Sequence, residues 1–246
     1  MAIIKLIDVI KYYEGLNHQQ LALAYLQDNI DPLVLSKFAK LWRNASVSME
    51  QKLADRLKQL NITLDKGINI ICLEGCNIDY TLNSDEARTD SYNDLWLTIW
   101  YDGLGIEILG TYKCTTEPGL FWTHSSNRNS AGTARIEIDI KQPGIWMIGK
   151  HKNQYPAMVQ IGNKIRIRRD LNKDGFRTGD KLYEGWFGIN GHHGDGSGKI
   201  GRWSAGCVVI DSPIEFKQAM TTIIKKASTI GQTRFSLIVL DASKVI

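Results

Sequence analysis

The chain has 246 residues, 30 Lys and Arg against 26 Asp and Glu, and a formal net charge of +4. At 43% hydrophobic and 23% charged residues it has the composition of an ordinary globular protein, long enough for one large domain plus a small accessory unit. The mild positive balance is compatible with an anionic partner but excludes the dense cationic stripe of a nucleic-acid protein, so no nucleic acid is expected among its partners.

The first residues, Met-Ala-Ile-Ile-Lys-Leu-Ile-Asp-Val-Ile-Lys, are broken by charges and lead to no small-residue cleavage site. They do not read as a signal peptide. No apolar run approaches the roughly 20 residues of a bilayer span. The expectation is cytoplasmic synthesis, with any release to the periplasm or cell wall by a non-classical route.

Residues 1–62 read as a helical N-terminal unit. Leu21, Leu23, Ala24 and Leu26 follow a helix start at Asn17, and Asp31-Pro32 marks a stop and a new start. Leu33, Leu35, Phe38, Leu41 and Trp42 recur at helical spacing. Ser48-x-x-Gln51 resembles a capping box, after which Leu53, Leu57 and Leu60 continue an apolar stripe.

From residue 63 the character changes to short β-prone runs cut by turn residues. Strands are expected at 68–73, 95–101, 106–114, 134–140, 145–149, 158–161 and 164–168, with Glu117-Pro118-Gly119, Gln142-Pro143-Gly144 and Asp174-Gly175 as punctuation. Lys164 to Arg169 alternates cations with Ile, the pattern of a half-exposed strand. Ser212-Pro213 opens a helix to about Ala227, and 235–240 reads as a closing strand. The fold class is therefore α+β: a β sandwich or barrel-like catalytic domain over 63–246, an N-terminal helical unit and one C-terminal helix.

Four cysteines, Cys72, Cys76, Cys114 and Cys207, are too sparse for a disulfide scaffold. Cys72-x3-Cys76 lacks a second ligand pair and reads better as two buried thiols than as a zinc site. Asp170-x-Asn172-x-Asp174-Gly175 matches the first half of a calcium loop, with Asp180 next to the position where a bidentate acid belongs. Lys181 occupies that position, and an Asp/Asn/Gly turn needs no metal. No cofactor is expected, with Ca²⁺ on these four residues the alternative. Thr115 to Gly119 reads as a strand-joining turn in preference to a substrate groove.

The segment from Gly188 to Ile210 carries the chemistry. Adjacent histidines, His192 and His193, lie before a glycine-rich loop, and Ser204-Ala205-Gly206-Cys207 then runs into Val-Val-Ile. A thiol at neutral pH needs a nearby base to act as a nucleophile. Small residues at Ala205 and Gly206 would let a carbonyl approach the sulfur and let backbone N–H groups face it as oxyanion donors. The competing reading is a buried core cysteine beside a surface histidine pair. Ser204 as nucleophile lacks the Gly-x-Ser-x-Gly elbow, because Arg202 stands at its first glycine.

His192 followed by Ser204-Ala205-Gly206-Cys207 resembles the signature of L,D-transpeptidase catalytic domains of the YkuD type, a His, a glycine-containing spacer and Ser/Thr-His-Gly-Cys before apolar residues. Asn190 to His192 with Trp203 to Ile210 looks like a divergent branch that has Ser-Ala-Gly-Cys. Gly149 to His151, Pro156 to Gln160, Arg169 to Asn172 and Gly15 to Gln20 are similar to the same branch. The resemblance implies Cys207 as the acyl-accepting thiol and His192 as base and acid. It implies Gly206 and Cys207 N–H as oxyanion donors and Ser204 as the residue shaping the turn. His193 and His151 are alternative bases, and Asn190, Arg202 and Trp203 are candidate substrate contacts. Ala205 replaces the motif's second His, which puts transfer to an amine in question and makes hydrolysis an equal expectation. The expected substrate is the peptidoglycan stem peptide. The alternative is a non-catalytic wall- or glycan-binding module lined by Trp96, Trp100, Trp122, Trp146, Trp186 and Trp203, or a component of a phage or secretion particle.

Overall fold

The computed structural model describes residues 47–83, 90–124 and 129–246. The helices expected before residue 47 lie outside these residues. Glu50–Ile246 form one compact unit of α+β class. It opens with α1 (Met49–Gln59), the last of the helices expected in the first 62 residues. Leu53 and Leu57, four positions apart and so on one helix face, are buried, and Arg56 pairs with Asp139 at 2.8 Å. No helix among the described residues is long and apolar enough to cross a membrane.

Eleven strands follow among the described residues: β1 (Gly67–Glu74), β2 (Asp94–Tyr101), β3 (Ile106–Thr115), β4 (Thr133–Ile136), β5 (Ile140–His151), β6 (Tyr155–Gln160), β7 (Ile165–Asp170), β8 (Lys181–Gly185), β9 (Gly191–His193), β10 (Val208–Ile210) and β11 (Phe235–Asp241). A short helix, α2 (Leu120–His124), follows β3, and α3 (Pro213–Ser228) precedes β11. Eight strands close into a barrel in the order β1-β11-β5-β6-β9-β10-β3-β2, and β4-β7-β8 make a small separate sheet. The pairs are antiparallel except β1 with β11 and β9 with β10.

The apolar runs of β1 and β11 are buried on both faces, as expected of central strands. Ile68, Ile70 and Cys72 join Trp96, Trp146, Leu237 and Val239 in one core cluster. Phe216, Ala219, Met220 and Ile223 bring the apolar stripe of α3 into the same cluster. The Trp96 and Trp146 rings stack at 5.6 Å between centroids, and the indole of Trp146 donates to the Ile189 carbonyl at 2.8 Å. These two tryptophans are therefore core, and the expected glycan groove does not contain them.

Several local expectations hold. Ser212 caps α3 by accepting the Glu215 N–H at 3.3 Å, with Pro213 in the first turn. Two differ for a physical reason. Gln142-Pro143-Gly144 is not a turn between strands: β5 runs through it, with Gly144 at φ +54° and an irregular register against Phe235 and Leu237 of β11. A bulge tolerates the missing Pro143 N–H, and Ser236 Oγ accepts the Gly144 N–H at 2.9 Å. The single strand expected at 134–140 divides into β4 and the start of β5, because Asp139 takes φ +58° and the chain leaves one sheet for the other.

Candidate active site

The site sits where the barrel is closed by its shortest strands. In the parallel pair β9–β10, His192 lies opposite Val209 and Gly191 opposite Val208. Alternation puts Val208 and Gly191 on the core face. Gly191 is required there, since a Cβ would stand 3.1 Å from the Trp96 ring and 3.2 Å from Met158. Asn190, His192, Val209 and Cys207 share the other face by the same alternation, and Cys207 packs against the cluster of Tyr92, Ile200 and Val209. As a residue Cys207 is partly exposed, unlike the three other cysteines.

The turn before Cys207 is built by its own side chains. Gly206 has φ +128°, a region closed to residues with a Cβ, and a Cβ would meet the Ala134 carbonyl at 2.5 Å. Ser204 is fully buried; its Oγ donates to the Cys207 carbonyl at 2.8 Å and accepts the Gly206 N–H at 3.1 Å. Ser204 shapes the turn, as the motif implied. The Gly206 N–H, however, is occupied by Ser204 and is not free as an oxyanion donor in this state. The backbone donor that reaches the sulfur is the Asn190 N–H.

Around the thiol, the Asn190 N–H points at Sγ (3.5 Å) and the Gly188 carbonyl lies 3.6 Å away. Burial pushes the Cys207 thiol above its usual range, opposed by the Asn190 N–H and by the Lys152 ammonium. His192 Nδ1 lies 2.9 Å from the His193 carbonyl, which can only accept, so Nδ1 carries the proton and Nε2 keeps a lone pair. That Nε2 is buried and has no hydrogen-bond partner among the described residues. Burial drives the His192 pKa down to about 3, against the support of the His193 carbonyl and with the charges of His151, His193 and Lys152 adding to the depression. Burial thus favours the neutral form of both the thiol and the imidazole.

The alternative bases have other partners. Asn190 Oδ1 accepts the Gln160 N–H at 2.9 Å, which directs its Nδ2 to donate to His151 Nδ1, also at 2.9 Å. The lone pair of His151 is therefore engaged, and its ring leans on that of His192 with centroids 4.2 Å apart. Burial, with Lys152 and His193, lowers the His151 pKa. Asn190, expected to touch substrate, is 9% exposed and orients His151 instead. His193 donates from Nδ1 to the Gly194 carbonyl at 2.7 Å and packs between Tyr155 (4.4 Å) and Phe216 (5.9 Å), on the opposite face of β9 from His192. Arg202 is exposed and stacks over Phe121 at 4.2 Å. Trp203 is half-buried, 6.2 Å from the His193 ring.

Four contributors were not visible in the sequence. Tyr155, at the start of β6, brings its hydroxyl to 3.5 Å from His192 Nδ1, and its own pKa is raised by burial and by Cys207. Lys152 sits at the β5–β6 turn. Asp90 accepts the N–H groups of Leu120 (2.9 Å) and Gly201 (3.1 Å), tying α2 to the glycine-rich loop. Gly119 donates to the Ser204 carbonyl at 2.9 Å, so Thr115 to Gly119 braces the nucleophile turn from behind. Beneath it, Glu117 pairs with Arg135 (2.5 Å) and Arg177 (3.1 Å), and Arg177 pairs with Glu74 (2.5 Å). Only Asp-Gly and X-Pro-Gly punctuation signalled these loops locally; their partners lie across the fold.

The Asp170 loop is held by turn bonds. Asp170 Oδ2 accepts the Gly175 N–H at 3.2 Å, Asn172 donates to Asp174 at 2.9 Å, and Asp174 accepts the Phe176 N–H at 2.7 Å. Asp180 is buried, its pKa raised by burial and by Asp170 and Asp174. Among the described residues no group of three or more His, Cys, Asp or Glu side chains converges as a metal site. Cys72, Cys76 and Cys114 are buried free thiols.

Compared with known proteins, the chain matches no family model, no curated protein and no solved structure.

Proposed function

We propose that this chain is a cysteine acyl-transfer enzyme of L,D-transpeptidase or L,D-peptidase type, acting on peptide bonds of peptidoglycan stem peptides. The observation that carries the reading is that strand alternation puts Cys207 and His192 on one face of β9–β10, with His192 Nε2 left unpartnered, although the thiol itself donates to the Gly188 carbonyl (3.6 Å) and no hydrogen bond joins it to His192 among the described residues.

The reaction follows general-base logic. As the Cys207 sulfur bonds to the substrate carbonyl carbon, its proton passes to His192 Nε2, and the Cys207 N–H meets the developing oxyanion. His192 returns the proton to the leaving amine as the C–N bond breaks, leaving a thioester. An amine or a water then attacks the thioester, gives its proton to His192, and the thiol is restored. Starting from a neutral pair costs no stored ion pair; the imidazolium forms only while negative charge is present beside it.

The test is mass spectrometry of muropeptides incubated with the purified chain. Loss of a terminal residue, or its exchange for an added amine, is expected with the wild type and absent with Cys207→Ala. Turnover that survives in Cys207→Ala overturns the reading. One observation favours the second reading, a wall-binding module: among the described residues no hydrogen bond joins the Cys207 thiol to His192. Binding of muropeptides without any turnover would select it.

A further inference from the structure

Among the described residues four carboxylates are buried: Asp94, Glu117, Asp170 and Asp180. Asp94 accepts the N–H groups of Gly75 (3.0 Å) and Thr116 (2.7 Å) and the Thr116 hydroxyl (2.9 Å). Glu117 has Arg135 and Arg177. Asp170 and Asp180 differ. Each keeps one buried oxygen, Oδ1 of Asp170 and Oδ2 of Asp180, with no hydrogen-bond partner among the described residues, and neither shares an ion pair with a described Lys, Arg or His. The strand register brings the two together. Thr133 of β4 lies opposite Asp170 at the end of β7, and Arg169 lies opposite Lys181, so Asp170 and Asp180 face each other at the neck of the β7–β8 loop. Residues directly opposite in an antiparallel sheet project from one face, with Cβ atoms about 5 Å apart. Thr133 completes that row, and its buried hydroxyl also has no partner. The two arginines on the same face, Arg135 and Arg168, oppose each other elsewhere in the sheet and pair with Glu117 (2.5 Å) and Glu137 (2.5 Å).

A buried carboxylate oxygen without a donor is costly, and a row of three such oxygens suits a bound cation. A donor set made only of oxygen suits a hard cation and not zinc or copper. We propose that Asp170 Oδ1, Asp180 Oδ2 and Thr133 Oγ1 are ligands of a Ca²⁺ ion at the neck of the β7–β8 loop. Two carboxylates and a hydroxyl leave the rest of the shell to loop carbonyls and water. Asp174 and Gly175 line a cleft of about 430 Å³ that gives water room beside the loop. Asp174 itself is committed to the loop, its oxygens accepting from Asn172 and from the Phe176 N–H. The ion would tie β4 to the loop, and β4 carries the Ala134 carbonyl that bounds the Gly206 turn. The site stands apart from the acyl-transfer reading.

The test uses the full chain, stripped with EDTA and desalted, and titrated with CaCl₂ in a calorimeter. NaCl of equal ionic strength is the control. Saturable binding of one ion per chain is expected. At about a hundredfold over Kd the thermal midpoint should rise by about 5 °C or more. Asp170→Asn and Asp180→Asn should each weaken binding by at least about tenfold, the loss that follows even when a group one shell further out is removed. Both substitutions keep the side-chain shape and remove a buried charge, and the metal-free midpoint shows whether each variant is folded. Asp195→Asn, in an exposed loop, should leave binding unchanged. A wild type without saturable Ca²⁺ binding overturns the proposal and leaves a proton or a water between the two carboxylates. Binding that survives in the Asp170→Asn/Asp180→Asn double variant overturns it as well, because the ion is then held elsewhere. Neither readout involves muropeptide turnover, so a failure here leaves the acyl-transfer reading untouched.

Discussion

The barrel has two unlike sides. β1, β2, β3, β5 and β11 are seven to twelve residues long, and their shared core cluster is almost wholly apolar. β9 and β10 have three residues each, and β6 meets β9 in the single pair Met158–Gly191. The long strands supply ladder bonds and buried area in excess of what closure needs. The short ones close the barrel with little regular backbone; His192 lies in the middle of β9, and Ser204, Gly206 and Asn190 occupy the irregular segments beside them. The lesson is that the chemistry-bearing residues sit where regular structure is thinnest, and depend on the thick side for their rigidity.

Substitutions should separate the two sides. The largest expected effect is on chemistry at the thin side: Cys207→Ala should lower muropeptide turnover by at least about 10³-fold. Its thermal midpoint should stay near the wild type, since the change removes a single sulfur from a half-buried residue. At the thick side, Trp96→Ala removes a stacked, fully buried ring and should cost about 3–5 kcal/mol in urea unfolding. A midpoint barely moved there would mean that the core does not hold the barrel.

Gly206→Ala falls between these cases. It adds a Cβ against the Ala134 carbonyl at a φ that disfavours one, and should cost about 1–3 kcal/mol while displacing the Cys207 turn. Loss of iodoacetamide reactivity patterns at Cys207 with the rest of the fold intact is the expected readout. If Gly206→Ala is as stable and reactive as the wild type, the turn is not strained.

A further expected effect is a pH dependence. His192 stays neutral in the folded state down to about pH 3, whereas in the unfolded chain it takes a proton near its ordinary 6.5. Below about pH 6.5 the unfolded state binds the additional proton, so stability falls as pH drops toward 3. Glu117 acts in the opposite direction. Burial raises its pKa to about 7, so the folded state holds that proton and stability falls as pH rises from about 4.5 to 7. Denaturant titrations at stepped pH should show His192→Gln removing the acid-side slope and leaving the Glu117 slope. A slope untouched by His192→Gln would mean that the ring is not held neutral.

Much of the barrel was legible. β1, β2, β3, β7 and β11 lie within a residue or two of where the apolar runs place them, and α3 begins at its Ser-Pro signal. β8 and β9 were missed because Lys181–Gly185 is largely polar and Gly191–His193 has no apolar pattern at all. α2 was missed because five residues cannot display a helical period. In the site, spacing and small residues singled out Cys207, His192 and Ser204, while nothing local signalled the bonds of Asn190 to Gln160 and His151.

By itself the sequence determined the burial and period of each long segment, and with them the α+β class, because apolar side chains at fixed intervals leave few faces to bury. It also marked the cysteine, the histidine doublet and the glycine turn. Only the tertiary structure decided which imidazole nitrogen is free, that the Gly206 N–H is taken, that Tyr155 reaches His192 and that Asp90 ties α2 to Gly201. The first two depend on near neighbours held in one conformation, His193 and Ser204, and the last two on partners from distant parts of the chain. Local pattern reports what a segment must hide from water; closure of the barrel selects which polar atoms meet once it is hidden.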